Sequence, residues 1–485
     1  MMTEMTLTNV AEGLRCCRFA AMVSLAAVLW AGGVAAEDYP DALLTTPVTP
    51  EVLAKGNEAD AYAQGIQAYI WGYPLVRMER VARQYTDVPT NNPATSYRAP
   101  LNQIGWARDL ATAASKDMPT ANNDTLYMSA IVSLDEPYVL SVPDTHDRYY
   151  VVDVFNMWQE LQHYIGRRTT GTTAGNFALV PPGWEGELPA DVKRLKVGTT
   201  KIWLWGRLRL SPGEDKDSVL ALQKQFRLAP LSQFGLADPK PQPASLKPLP
   251  DAASDELGFF VQLAAELKDN AVKPADKALF AQFARIGLTA DGFDPSKLNA
   301  ERRKGLVRAI QDGPAVAISA FTTATVQRNG WSWATGLDSF GFDYPLRALV
   351  AGPYIGGQGE KEAMYPLRYA DSKGEVLTGA SAYTVKFASP PPVDAFWSLT
   401  VYKADDKLLV DNPIARYKIG SDTPGLVTEA DGSIELRLQH GAPEGDGAKN
   451  WLPTPSGPFY LVLRLYQPRP EVLNGEYQLP QVVRE

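Results

Sequence analysis

The last third of the chain alternates apolar and polar residues with a period of two, and this pattern constrains the fold more than any other feature. Tyr383-Val385-Phe387, Trp397-Leu399-Val401, Ile434-Leu436-Leu438 and Phe459-Leu461-Leu463-Leu465 each put their apolar members on one face, because successive side chains of a strand point to opposite faces. One buried face and one wet face is the pattern of half-buried antiparallel strands. Shorter runs rich in β-branched and aromatic residues lie earlier, at Val139 to Val142, Tyr149 to Phe155, Phe177 to Val180 and Ile202 to Leu210, separated by Pro, Gly and Asp clusters such as Pro181-Pro182-Gly183.

Helical spacing frames and divides these two regions. Asn57 to Arg83 carries Ile66, Tyr69, Ile70 and Tyr73 on one side, with Pro74 expected to kink or restart the helix. Ser211-Pro212-Gly213-Glu214 fits a capping box, predicting a helix to about Leu228. Pro239-Lys240-Pro241-Gln242-Pro243, extended by Pro248 and Pro250, reads as a linker. Helical patterns follow over Asp255 to Asp269, Ala275 to Ile286 and Leu298 to Gln327, and β character is expected from Asp343 onward. The predicted fold class is α+β, with two β-rich antiparallel sectors, sandwich- or jelly-roll-like, joined by a helical sector. The expected domains are a signal peptide over 1–36, an N-terminal helix plus β-rich domain over 37–235, a proline-rich linker and helical sector over 236–335, and a C-terminal β-rich domain over 336–485.

The first residues read as an export signal. Arg15 and Arg18 give a positive flank, Phe19 to Ala36 is apolar, and Val34-Ala35-Ala36 is a small-residue cleavage site before Glu37. The run is short for a membrane span and no charged stop follows it at once; an uncleaved anchor is the alternative, and no second spanning candidate occurs. Both cysteines, Cys16 and Cys17, fall inside this segment. A chain cleaved after Ala36 holds no cysteine, which excludes disulfides, thiol nucleophiles and thiolate metal sites. The expected location is the periplasm or the exterior. The formal charge of -8 survives cleavage and argues against nucleic acid as a partner.

Much familiar chemistry is missing. The three histidines, His146, His163 and His440, show no zinc spacing. Gly379-Ala380-Ser381-Ala382-Tyr383 lacks the closing glycine of a nucleophile elbow, and Gly356-Gly357-Gln358-Gly359 lacks the ending of a phosphate loop. No cofactor and no metal is therefore expected. Acid, amide, guanidinium and aromatic groups remain, concentrated between Asn122 and Arg207. Asp124 stands in the turn Asn122-Asn123-Asp124-Thr125-Leu126-Tyr127 and can act as a base, or serve only as an Asx turn, which is the favoured reading. Arg167 and Arg168 precede Thr169-Thr170-Gly171-Thr172-Thr173 and can grip an anion or close an internal ion pair with Asp153 or Asp124. Trp203, Trp205 and Arg207 share one strand face, as a cation–π wall or as plain packing. The 11 Trp and 21 Tyr are read first as core.

These residues carry a family resemblance. The Asn122–Tyr127 turn, Ser141-Val142-Pro143-Asp144-Thr145, Arg148-Tyr149-Tyr150, Tyr164-Ile165-Gly166-Arg167-Arg168-Thr169-Thr170-Gly171 and Trp203-Leu204-Trp205-Gly206-Arg207 resemble domain of unknown function 1254. Ala395-Phe396-Trp397-Ser398-Leu399-Thr400, Asn412-Pro413-Ile414-Ala415-Arg416-Tyr417, Asn450-Trp451-Leu452-Pro453 and Gly457-Pro458-Phe459 resemble domain of unknown function 1214. The resemblance covers about Asn57 to Pro480 and implies an exported bacterial protein with β-rich ends and helices between. It implies no activity, cofactor or catalytic residue.

The residues themselves suggest a polar-aromatic cleft for a small organic or glycan-like ligand. Asp124 is its candidate base, Arg167 its candidate for stabilising negative charge and Tyr164 its candidate proton donor, in hydrolysis or elimination. Asn123, Tyr127, Arg148, Trp203 and Arg207 are candidate ligand contacts. The competing expectation is a non-catalytic cell-envelope protein that binds a protein or surface polymer.

Overall fold

The computed structural model describes residues 42–89, 97–116, 118–214, 216–240, 245–251 and 255–485. The expected signal segment, with Cys16 and Cys17, and part of the proline-rich linker lie outside the described residues. Leu53–Glu485 forms one compact unit; of the segment before it, the described part contains the short helix Ala42–Thr45.

The architecture is α+β, with four sheets arranged as two packed pairs. In the first pair, a five-stranded antiparallel sheet runs in the order Gly105–Trp106, Thr125–Ser133, Lys201–Arg209, Tyr150–Asn156, Leu161–Gly166. Its partner runs Val192–Lys196, Gly175–Val180, Tyr138–Val142, Arg227–Pro230. Leu126, Met128, Val132, Val152, Val154, Ile202 and Leu204 meet Leu140, Phe177 and Leu179 between the two sheets. The opposite face of the first sheet, carrying Tyr127, Ile131, Phe155, Trp203 and Trp205, packs on the long helix Pro50–Thr86 through Trp71, Met78 and Tyr85.

In the second pair, Phe459–Pro468 and Val393–Lys403 are central neighbours of a seven-stranded sheet. Trp397, Leu399, Val401, Leu461, Leu463 and Leu465 bury against Tyr383, Val385, Leu436 and Leu438 of a four-stranded sheet. The alternation read in the sequence is real, yet every residue of Phe459–Pro468 is buried. The polar-aromatic face of that strand, expected to be wet, covers the first pair of sheets instead.

Several expected boundaries move. The first helix runs unbroken through Pro74, which is itself buried; one lost hydrogen bond is tolerated where both flanks are packed. The helix after Glu214 ends at Gln223, and Leu228 lies in a strand. Glu214 does reach back to the Ser211 N–H at 2.6 Å, half of a capping box. The last predicted helix is Ala300–Ser319 followed by Phe321–Ala324, after which Thr325–Arg328 pairs with Trp331–Ala334. The region after Asp343 opens with a helix, Tyr344–Ala351. Not all strands are antiparallel: Gly175–Val180 with Val192–Lys196, and Ile434–Gln439 with Trp451–Pro453, run parallel.

Helices fill the space between the strand-rich parts by close approach. Asn299 caps Ala300–Ser319 by accepting from Arg302 N–H at 2.9 Å. Gly305 lets this helix touch the first one, since a Cβ there would stand 2.4 Å from the Glu58 carbonyl oxygen.

Candidate ligand groove and sealed seam

The sequence candidates separate into a sealed polar seam and an open groove. The seam lies where the outer face of the seven-stranded sheet meets the first pair of sheets. Phe396, Ser398, Thr400 and Tyr402 stand opposite Tyr466, Arg464, Val462 and Tyr460 across two strands. This row presents two aliphatic hydroxyls, a guanidinium and four aromatic rings, three of them tyrosines, to the residues around Asp124.

Asp124 is 1% exposed and fully engaged. The Lys418 ammonium donates to it at 2.5 Å and the Ser398 hydroxyl at 2.8 Å. Burial alone would raise its carboxyl, but the Lys418 and Arg464 charges with the two hydrogen bonds hold it below the ordinary carboxylate range. The preceding turn is an Asx turn built by Asn122, whose side-chain oxygen accepts from the Asp124 and Thr125 N–H groups, each at 2.9 Å. Asn123 donates to the Ala111 carbonyl at 2.5 Å. Tyr127 receives the Asn122 side-chain amide at 2.6 Å and stacks on Trp205 with ring centroids 4.9 Å apart. Trp203 is buried and donates to the Ser129 hydroxyl at 3.0 Å.

A second buried pair closes the other end of the seam. Arg207 donates to Asp153 at 2.6 Å and to the Gly356 carbonyl at 3.0 Å. The Gln358 amide donates to both Asp153 oxygens and accepts from Tyr365. Burial pushes the Asp153 carboxyl above the ordinary range, while Arg207 and Gln358 pull it back. Asp153 thus has an arginine partner, Arg207 rather than the expected Arg167 or Arg168. Glu362, 1% exposed, accepts from Tyr149 at 3.0 Å and Arg168 at 2.6 Å. Tyr164 donates to Asp338 at 2.6 Å and accepts the Gly359 N–H at 2.9 Å, with Arg168 over its ring. These groups are saturated by partners within the fold, so their polarity is spent on joining the sheets.

Of the sequence candidates, Arg148 and Arg167 line open space. A cavity of about 330 Å³ is walled by Arg148, Arg167, Arg209, Glu214, Asp394 and Phe396. A second of about 800 Å³ shares Asp147, Arg167 and Asp394 with it and adds Arg168, Lys361, Gln467 and Arg469. Among the described residues, six basic side chains line the two lobes against three acidic ones, Asp147, Glu214 and Asp394. This positive groove stands on a chain of formal charge -8.

Strand ends and turns place these groups. Arg148 lies between the left-handed pair His146 and Asp147 (φ 51° and 62°) and the strand Tyr150–Asn156. It donates to Glu214 at 2.9 Å and to the Arg209 carbonyl at 3.0 Å. Arg167 follows the strand Leu161–Gly166 and donates to Asp147 at 3.0 Å and to the Gln467 side-chain oxygen at 2.9 Å. Arg209 lies over Phe396, 3.4 Å from the ring centroid, and bonds Asp422. Its Nη1 is buried without a hydrogen-bond partner among the described residues, as is Nε2 of Gln467. Sequence reading missed Arg209, Phe396, Gln467, Lys361 and Arg469. The phase of Trp203, Trp205 and Arg207 puts Arg209 on the same strand face, which was the one available signal.

Two family descriptions match the chain: protein of unknown function DUF1254 over residues 101–230, and protein of unknown function DUF1214 over residues 362–470. The chain carries the two modules in that order, DUF1254 before DUF1214. Asp124, Asp153 and Arg207 lie in the first module, while Glu362, Ser398, Lys418 and Arg464 lie in the second, so the seam joins the modules. The VPA0106 protein from Vibrio parahaemolyticus is 27% identical with a TM-score of 0.69, over 88% of this chain and 100% of that one. An uncharacterized protein from Burkholderia cenocepacia is 11% identical with a TM-score of 0.41, over 90% of this chain and 95% of that one, too distant to carry an argument. Among curated proteins none matches.

Proposed function

We propose that this DUF1254–DUF1214 protein is an exported binding protein, periplasmic or secreted, that takes a small organic anion such as an organic acid or acidic sugar between its modules. One observation carries the reading: the groove holds buried donors without acceptors among the described residues, Arg209 Nη1 and Gln467 Nε2, beside the partly exposed Arg148 and Arg167. A buried donor left unpaired costs free energy, and a carboxylate or sulfate supplies the missing acceptors. Both cavities fall within or near the size range of small-molecule sites. Export rests on the apolar run Phe19 to Ala36 with its basic flank and small-residue end.

Binding is favoured over acid–base turnover because Asp124, the candidate base, already serves Lys418 and Ser398 in the sealed seam. The envelope reading shares the groove, because the two cavities have Arg167 in a common wall and an extended acidic polymer could engage both.

The test is calorimetric titration with acetate, glucuronate, glucose sulfate and an acidic oligosaccharide, on wild type and Arg167→Ala. Expected is binding to wild type that weakens with salt and is lost in a folded Arg167→Ala. Tighter binding of the oligosaccharide than of its monomer selects the polymer reading. Equal binding to both proteins, or none to wild type, refutes the groove as a site for an anionic ligand.

A further inference from the structure

We propose that a separate cleft, between the helices Pro50–Thr86 and Gly258–Glu266 and the start of the strand Lys201–Arg209, binds an organic ammonium ion through the Glu266 carboxylate and the Asn270 side-chain oxygen. The cleft encloses about 690 Å³ and is lined by Glu79, Arg83, Ser133, Lys201, Glu266 and Asn270, among others. That volume suits a small molecule. Glu79, Glu266 and Asn270 lie outside the two matched modules, and the proposal is independent of the anion groove.

The two carboxylates of the cleft differ in what they are left to do. Glu79 is saturated, taking Arg83 at 2.6 Å on one oxygen and Lys201 on the other. Glu266 is 5% exposed, and its carboxyl has no hydrogen-bond partner among the described residues. Only its backbone oxygen is used, accepting the Asn270 side-chain amide at 2.9 Å. That bond fixes which end of Asn270 is nitrogen and leaves Oδ1 buried with no donor among the described residues. The Asn270 N–H also meets the Glu266 carbonyl at 3.0 Å, so the two side chains are neighbours four residues apart on a helical turn. Among the described residues, Asn270 Oδ1 is thus a buried acceptor without a donor and Arg83 Nε a buried donor without an acceptor, and the Glu266 carboxylate adds two oxygens to a cleft that Lys201, Lys247, Lys268, Asp135 and Asp269 also line.

The occupant must bring N–H groups and positive charge. A metal ion is less suited, because among the described residues no three His, Cys, Asp or Glu side chains group together. Burial, with Glu79 and Asp269 nearby, pushes the Glu266 carboxyl up to about 7, opposed by Lys201 and Arg83. An ammonium ion entering the cleft favours the carboxylate and expels the proton, so binding and proton release are coupled.

The experiment is titration of the purified protein with putrescine, with butanol as the uncharged control, near neutral pH in two buffers of different ionisation heat. Expected are binding of putrescine and not butanol, release of a fraction of a proton per site, and a loss of at least about tenfold in affinity in Glu266→Gln, the scale of one charged hydrogen bond. Wild type supplies a second arm, since affinity should fall at about pH 5, where Glu266 is protonated. Absence of putrescine binding in wild type overturns the proposal. So does binding that is unchanged in Glu266→Gln or unchanged at the lower pH.

Discussion

Replacing Glu266 by Gln removes a buried ionisable group, and the unliganded variant should become more stable than wild type as the solution is made alkaline. The carboxyl is 5% exposed and lies at about 7 against an ordinary value of 4.5. The folded protein therefore holds this proton more tightly than the unfolded chain does. The stability it contributes is complete below pH 4.5, declines as the pH rises toward 7, and is absent above that. The difference amounts to about 3 kcal/mol. Gln keeps the shape of the protonated acid and cannot ionise, so the variant escapes the decline. At about 2 cal/mol/K of unfolding entropy per residue, a unit of this size should register it as about 3 °C in Tm. Melting both proteins from about pH 4 to about pH 8 gives the answer. The two curves should coincide in acid and separate steadily, the variant higher, by roughly 3 °C at the alkaline end. A gap that does not change with pH, or a wild type more stable at pH 8, refutes the reasoning. Lys201 and Arg83 would then be holding Glu266 ionised through the whole range.

The seam and the helix contact yield sharper stability tests. Asp124→Asn leaves the Lys418 ammonium buried beside a neutral amide and should cost about 3–5 kcal/mol in urea unfolding, with Lys418→Met added to it recovering a good part; no recovery in the double variant would deny the pairing. Arg167→Ala breaks a contact with the 79% exposed Asp147 and should change stability by under about 1 kcal/mol while abolishing anion binding. A large loss of stability would move Arg167 from the groove's function to its framework. Gly305→Ala forces a methyl against the Glu58 carbonyl and should cost roughly 1–3 kcal/mol by the same unfolding assay, whereas a neutral result would mean the two helices are free to separate.

The strand-rich sectors were legible because alternation is a local signal, and so was the helical filling between them. The misses had local signals too, outweighed by longer patterns. The helical spacing expected from Leu298 to Gln327 takes in the first three residues of the strand Thr325–Arg328, although Asn329-Gly330 follows it. Those two residues adopt φ of 52° and 79° in a two-residue hairpin with Arg328 opposite Trp331, the use to which Asn-Gly is best suited. Tyr344–Ala351 was read as β character, yet Asp343 caps it by accepting from the Leu346 N–H at 2.9 Å and Pro345 stands in its first turn. What periodicity could not reveal is that the polar faces of the Val393–Lys403 strand from Phe396 to Tyr402 and of Phe459–Pro468 are dry. A residue pattern reports which face is less apolar, and only the packing of the other module decides whether water reaches it.

That distinction bears directly on function. The motifs most conspicuous in the sequence, around Asp124, Tyr127, Tyr164, Trp203 and Arg207, are conspicuous because a dry polar seam needs matched partners, and a lone buried charge is costly. Each of them has its partner in the fold. Spare capacity occurs elsewhere, in groups that drew no attention in the sequence. Among the described residues, Arg209 and Gln467 hold donors without acceptors in the groove, and Glu266 and Asn270 hold side-chain acceptors without donors in the cleft. Their value comes from what surrounds them after folding, which no residue type or spacing encodes. A chain that satisfies Asp124, Asp153 and Glu362 so fully leaves these four groups short at two openings of opposite preference. The groove should therefore select acceptors and the cleft donors, and exchanging an acid for an amine in either titration should reverse which site responds.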